Sequence, residues 1–143
     1  MALTPVQFFK RLQASIPKLK HDILNDVIAV EAENFVSENF RKQAYVDKGA
    51  KKWPARKDPK NKKALLIGTG TLRNQVTKAR VSGDKVVIES SLVYAEVHNE
   101  GLKAGRGEGF MMPKRQFIGE SATLTKRIGK KAAQLLDSHL NNL

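Results

Sequence analysis

"YAEVHNEG", residues 94–101, decides how the middle of this chain is read. Val93, Ala95 and Val97 alternate with Tyr94, Glu96 and His98, the period of a strand with one apolar face. Read so, "LVYAEVHNEG" is the third strand of an antiparallel meander. The first two are "VTKARV" and "KVVIESS", which flank the hairpin signal "SGD" at 82–84. Outward from this sheet, the pattern turns helical on both sides. The order is helix, helix, long loop, three or four strands, loop, helix. That is an α+β chain.

On the N-terminal side, Thr4 is placed to cap a helix, with Pro5 at its first position and Gln7 as the capping-box partner. Pro17 is expected to end or bend this helix near Ser15 and Ile16. A second helix is expected from about residue 18 to 43, with Ile23, Val27 and Val30 on its apolar stripe. On the C-terminal side, a helix is expected over about 120–141, capped by Ser121. Leu124, Ile128, Ala132, Leu135 and Leu136 face inward, and Lys126, Arg127, Lys130 and Lys131 face out.

The 143 residues suit a single domain. It divides into a helical N-terminal region (residues 1–43), a basic loop (44–63), a sheet (64–118) carrying the loop 101–112, and a C-terminal helix (119–143). Hydrophobic residues at 41% suffice for a core. No run of about 18 apolar residues occurs, and the first residues lack a secretion signal's apolar centre, so neither a membrane span nor export is expected. The absence of cysteine removes disulfides, thiolate metal sites and thiol nucleophiles. A cytoplasmic protein is the expectation.

The net charge of +12 is unevenly spread. Residues 1–46 hold six Lys/Arg against five Asp/Glu, while 47–63 hold eight against two, and 64–143 twelve against seven. The excess therefore sits in one short segment and in the C-terminal half, where it could draw a polyanion or an acidic protein surface. Lys51, Lys52, Arg56, Lys57, Lys60, Lys62 and Lys63 are the candidate contacts, with Trp53 among them. A lone aromatic in a basic loop can stack on a base. Here anchoring the loop to the core or to a neighbouring subunit is the favoured reading of Trp53.

Catalytic and cofactor chemistry finds little support. Glu96, His98 and Glu100 would share one strand face about 6–7 Å apart, too wide to hold one ion together. Ser90 and Ser91 lack a nucleophile elbow. "GRGEGF" puts Phe110, and "GTGTLR" puts Arg73, where a dinucleotide loop needs glycine or alanine. The expectation is no catalytic residue, no metal, no cofactor and no enzyme activity. A hydrolase using Glu96 and His98 is the weakest of the readings.

The ordered set of motifs resembles the phage virion morphogenesis family, the tail-completion and head–tail joining proteins of contractile-tailed phages and prophages. Leu66, Thr69, Gly70 and Leu72 match its first element; Tyr94, Ala95, His98 and Gly101 its second; Pro113, Arg115, Phe117 and Gly119 its third. The match covers about 50–141, and Asn74 departs from the serine expected after the leucine. The resemblance implies a structural protein at the neck or tail end, assembled in the host bacterial cytoplasm and then a component of the virion. It implies a ring of copies of itself, a hexamer among the candidates, in contact with other neck or tail proteins, with no membrane partner. The basic surface could face phage DNA. It further implies that Tyr94 packs on the core, His98 and Gly101 shape a strand exit, and Pro113 fixes the re-entry of the loop. Arg115 would tie that loop down, and the loops 44–63 and 101–112 would order on contact. The alternative is a free basic nucleic-acid-binding protein.

Overall fold

Thr4 caps the first helix as its neighbours require. Its hydroxyl accepts from the Gln7 amide at 3.2 Å, and the Gln7 side chain accepts from the Thr4 amide at 2.9 Å. From this cap the computed structural model, which describes residues 2–143, runs into α1 (Pro5–Asp22). The helix does not end at Pro17. It continues through a π-helical turn, Ile23–Ile28, into α2 (Ala29–Lys42). Two separate N-terminal helices are thus replaced by one rod. Pro17 and Gln13, whose carbonyl loses its helical partner, both lie on the exposed side, open to solvent. The π turn is marked by the Ala29 amide donating to the Leu24 carbonyl, one residue further back than in an α-helix.

The fold is α+β, but its strands form three separate antiparallel hairpins and no meander. These are β1 (Ala44–Val46) with β2 (Ala50–Lys52), β3 (Arg80–Ser82) with β4 (Lys85–Val87), and β5 (Lys103–Ala104) with β6 (Phe110–Met111). Two further helices lie between them, α3 (Thr71–Val76) and α4 (Tyr94–Glu100). The expected third strand is α4. With a helix there, nothing pairs with β4 to extend the sheet. The helical signal was Gly101, the left-handed cap (φ 69°, ψ 51°) after the helix formers Ala95, Glu96 and Glu100. Ala95 and Asn99, four apart, are its buried face.

The core gathers on α2. Phe35, Val36 and Phe40 are almost fully buried there and meet Tyr45, Trp53, Leu72 and Phe117. Phe40 touches the Trp53 ring edge-on, centroids 5.4 Å apart, and Phe117 at 5.5 Å. The segment expected as a long mobile loop therefore begins as a hairpin. Ala44, Tyr45 and Val46 are all buried, because β1 is covered on both faces, by α2 and by the segment around Glu120 and Ser121.

The closing helix α5 (Ala122–Asn141) starts at Ser121, whose hydroxyl accepts from the Leu124 amide at 3.1 Å. It returns antiparallel beside α1. The Ser15 hydroxyl donates to the Leu12 carbonyl, so His139 Nε2 is the donor in the 2.7 Å bond joining the helices. Arg11 reaches the Leu143 carbonyl at 3.3 Å. Neither α1 nor α5 contains a fully buried residue.

Candidate functional site

Three stretches far apart in sequence, the turn at 64–70, α4 and the segment 113–119, converge on one side of the core. They enclose a cleft of about 270 Å³ lined by Leu66, Ile67, Leu72, Tyr94, His98 and Arg115, together with Gly68, Thr69 and Arg56. The turn at 64–70 is tight. The Gly70 amide donates to the Ile67 carbonyl at 2.6 Å, and Gly70 caps α3 with φ 84°. Leu66 also has a positive φ of 59°, a conformation a branched residue adopts only when its surroundings impose it. Leu72, one residue past the α3 start, is 3% exposed and belongs to the core.

Gly101 ends α4 where no other residue fits. A Cβ there would lie 2.8 Å from Lys114 Cβ and 3.0 Å from Lys114 Cα. This close approach lets the Arg115 amide reach the His98 carbonyl at 2.8 Å, while the Met112 amide reaches Leu102 at 2.9 Å. Pro113, half-buried and without an amide, sits between these two bonds. Gly101 thus shapes a helix end, in place of the expected strand exit. Arg115, 8% exposed, donates from Nε to the Pro54 carbonyl at 2.9 Å and from a terminal nitrogen to Ala55 at 3.3 Å. It pins the chain after Trp53. Trp53 is itself buried, with its indole N–H donating to the Gln116 carbonyl at 2.7 Å.

Three polar residues that sequence reasoning missed complete this joint, with Ser121, which was expected only as a helix cap. Asn39, fully buried, donates to the Phe117 carbonyl and accepts from the Val46 amide, each at 3.0 Å. Asn99 accepts from the amides of Phe117 and Ile118 at 3.0 and 3.1 Å. Gln43, left-handed at φ 54°, bridges the end of α2 to Leu65. Ser121 donates to Val46 at 2.7 Å. Asn39 carried a signal: it falls four residues after Phe35 and three after Val36, a polar residue on an apolar face.

The electrostatics of the cleft are one-sided. His98 Nδ1 and Arg56 Nε are buried without a hydrogen-bond partner. Arg56 gives its other donors to the carbonyls of Lys63 and Ala64 at 3.3 and 3.0 Å. Burial, and then the charge of Arg115, hold the His98 imidazole below its ordinary value. Tyr94 meets His98 edge-on at 6.0 Å but is 43% exposed, so it forms the rim and does not pack on the core as expected.

The helix also revises the ligand geometry considered for Glu96, His98 and Glu100. On α4 the two glutamates share a face and His98, two residues from each, points away from it. Glu100 accepts from Asn99 instead, at 2.7 Å. Among the described residues no group of three or more His, Asp or Glu side chains is placed to hold a metal ion.

Lys51, Lys52, Lys57, Lys60, Lys62 and Lys63 are exposed, and none forms an ion pair among the described residues. Lys51 and Lys52 ride on β2, while the others follow Trp53. Besides Val30, Val93 and Tyr94, exposed apolar side chains gather on three elements. Val6, Phe9 and Ile16 stand on α1, Leu136 and Leu140 on α5, and Leu102, Phe110 and Met111 crowd the β5–β6 ribbon. That ribbon occupies the second segment expected as an unstructured loop. None of the described helices is long and apolar enough to cross a membrane.

A family model described as the phage virion morphogenesis family matches residues 4–137. No curated protein and no solved structure gives a significant match.

Proposed function

The chain belongs to the phage virion morphogenesis family, and from that premise we propose that it is a structural assembly protein acting in tail completion or head–tail joining at the neck, through a ring of its own copies. The observation that carries this reading is the helix pair α1–α5. It buries no residue fully within the chain, yet Val6 and Phe9 are each 64% exposed and Ile16 is 51% exposed. A long helix with two apolar stripes, one laid on its neighbour and one open, is built to pack against a further surface. A repeated chain supplies that surface at every joint of a ring. Other neck or tail proteins could take the β5–β6 ribbon, with Phe110 and Met111 exposed at its end.

The role needs no chemistry, and the reading treats the chain as a non-enzyme without cofactor. In its support, neither Glu96 nor Glu100 hydrogen-bonds His98 among the described residues, so the one acid–base group of the cleft has no carboxylate to orient it. The assembly takes place in the host cytoplasm and leaves the protein in the virion.

Sedimentation velocity over a wide concentration range, with electron microscopy of the protein mixed with heads and tails, tests this. The expected result is a closed oligomer that is lost in the Phe9→Ser variant, whose helix content is unchanged. A protein that stays monomeric at every concentration and joins neither particle refutes it. A second reading, contact with nucleic acid, is favoured by the exposed and unpaired lysines of 51–63. It predicts DNA affinity that falls steeply between low and physiological salt.

A further inference from the structure

The cleft beside α4 has a chemistry that the assembly role alone does not explain. Buried arginines ordinarily meet a carboxylate, because a desolvated cation without one is costly. Arg115, only 8% exposed, meets just the neutral carbonyls of Pro54 and Ala55. Arg56 likewise meets only carbonyls, and its Nε is buried with no acceptor. No Asp or Glu lines the cleft. The two guanidinium groups feel each other: the Arg56 charge adds to burial in lowering the Arg115 value.

We propose that this cleft, between the turn at 64–70, α4 and Arg115, receives an aspartate or glutamate side chain carried on an apolar segment of a second protein, with Arg56 and Arg115 as its cationic clasp. The walls argue for a protein carboxylate over a phosphate. Leu66, Ile67 and Leu72 line the same space as the arginines, and apolar side chains flanking a glutamate would lie on them. A duplex backbone has no apolar counterpart to offer. The volume, about 270 Å³, falls below the range of small-molecule sites and suits a side chain or two. Carboxylate oxygens match the fork of a guanidinium. Burial chiefly holds His98 low and the Arg115 charge adds to it; a carboxylate here would offset that charge and touch the ring's surroundings, so the imidazole reports its arrival.

The partner's nature rests on the assembly reading; the chemistry of the cleft does not. The test therefore uses neither ring nor particle. The full-length chain is titrated with acetyl-Leu-Glu-Leu-amide while the His98 imidazole resonance is followed by NMR, with His21 and His139 as internal references. The glutamate peptide is expected to move the His98 signal saturably. The matching Leu-Gln-Leu peptide should bind at least tenfold more weakly. Arg56→Gln should weaken binding tenfold or more, while Lys57→Gln, an exposed charge outside the cleft, changes it less than twofold. Arg56→Gln must keep the wild-type denaturation midpoint within error; if it does not, Arg56→Lys, which keeps the charge but loses the guanidinium fork, is read in its place, with binding expected to weaken severalfold. The proposal is overturned by equal binding of the two peptides, by equal loss in Arg56→Gln and Lys57→Gln, or by an unmoved His98 signal. A short DNA duplex that moves His98 where the peptide does not overturns it in favour of phosphate. Failure here leaves the ring proposal standing, and a monomer that joins no particle leaves the cleft standing.

Discussion

Replacing Gly101 by alanine tests the joint between α4 and the returning segment. Two separate costs apply. Alanine at φ 69° and ψ 51° enters the left-handed region, at about 1–2 kcal/mol. Its methyl group would also stand 2.8 Å from Lys114 Cβ, 3.0 Å from Lys114 Cα and 3.1 Å from Lys114 N. Two of those three are backbone atoms, and Lys114 cannot retreat freely. The next residue is held by the Arg115 amide to His98 and by the guanidinium to Pro54 and Ala55. Overpacking of this kind costs about 1–3 kcal/mol. Gly101→Ala should therefore destabilise by about 2–5 kcal/mol. Gly107→Ala is the control, because it shares the positive φ (64°) but has nothing within 4 Å of the added carbon. It should cost no more than the conformational share, about 1–2 kcal/mol. Urea denaturation followed by the fluorescence of Trp53, the single tryptophan, reads both. Equal midpoints for the two variants would show that the approach of Lys114 does not constrain position 101, and the account of the motif glycine would fall.

Other perturbations probe the same framework. Asn39→Ala strands the Val46 amide and the Phe117 carbonyl in the core and should cost about 2–4 kcal/mol, with faster hydrogen exchange at Val46. Glu38, 13% exposed, bonds Arg127 at 2.6 Å and Lys42 at 2.7 Å, and these bonds pull its carboxyl down to about 2. A lowered folded value adds stability that is complete above the unfolded value near 4.5 and is lost as pH falls toward 2. Both partners are over a third exposed, so the loss should be only about 1–2 kcal/mol, and acid denaturation of Glu38→Gln should lack it. Burial, with Asp47 and Glu120 nearby, pushes the Tyr45 phenol up to about 12. In a Tyr94→Phe background the absorbance titration should centre there, moving to about 10 in urea, with native stability falling as pH rises between those values.

The ends of the chain were legible because capping is local chemistry. Thr4, Pro5 and Gln7 specify α1 within four residues, and Ser121 specifies the start of α5. The single tryptophan in a basic stretch was legible as an anchor, since a large ring has few stable places outside a core. Pro17 misled because its cost depends on whether the rod around it is held elsewhere, and that is settled by the packing of α2. Residues 94–100 misled because Val93, Ala95 and Val97 alternate by accident around a short helix: Val93, its cap, is 91% exposed, and of the three only Ala95 is buried. The convergence of the three motifs on one cleft is a tertiary fact. Each motif read alone offers a turn, a histidine and an arginine; only the fold puts them together.

The π turn at Ile23–Ile28 marks where the rod leaves the body. Beyond it α1 extends 18 residues, about 27 Å, with α5 bonded alongside. At that length an adjustment of about 10° at the turn carries the Thr4 end through about 5 Å. Because α5 is tied to α2 through Arg127 and Glu38 and to α1 through His139 and Ser15, the two helices brace each other like a strut, and the angle of the turn sets where the exposed Val6 and Phe9 stand relative to the body.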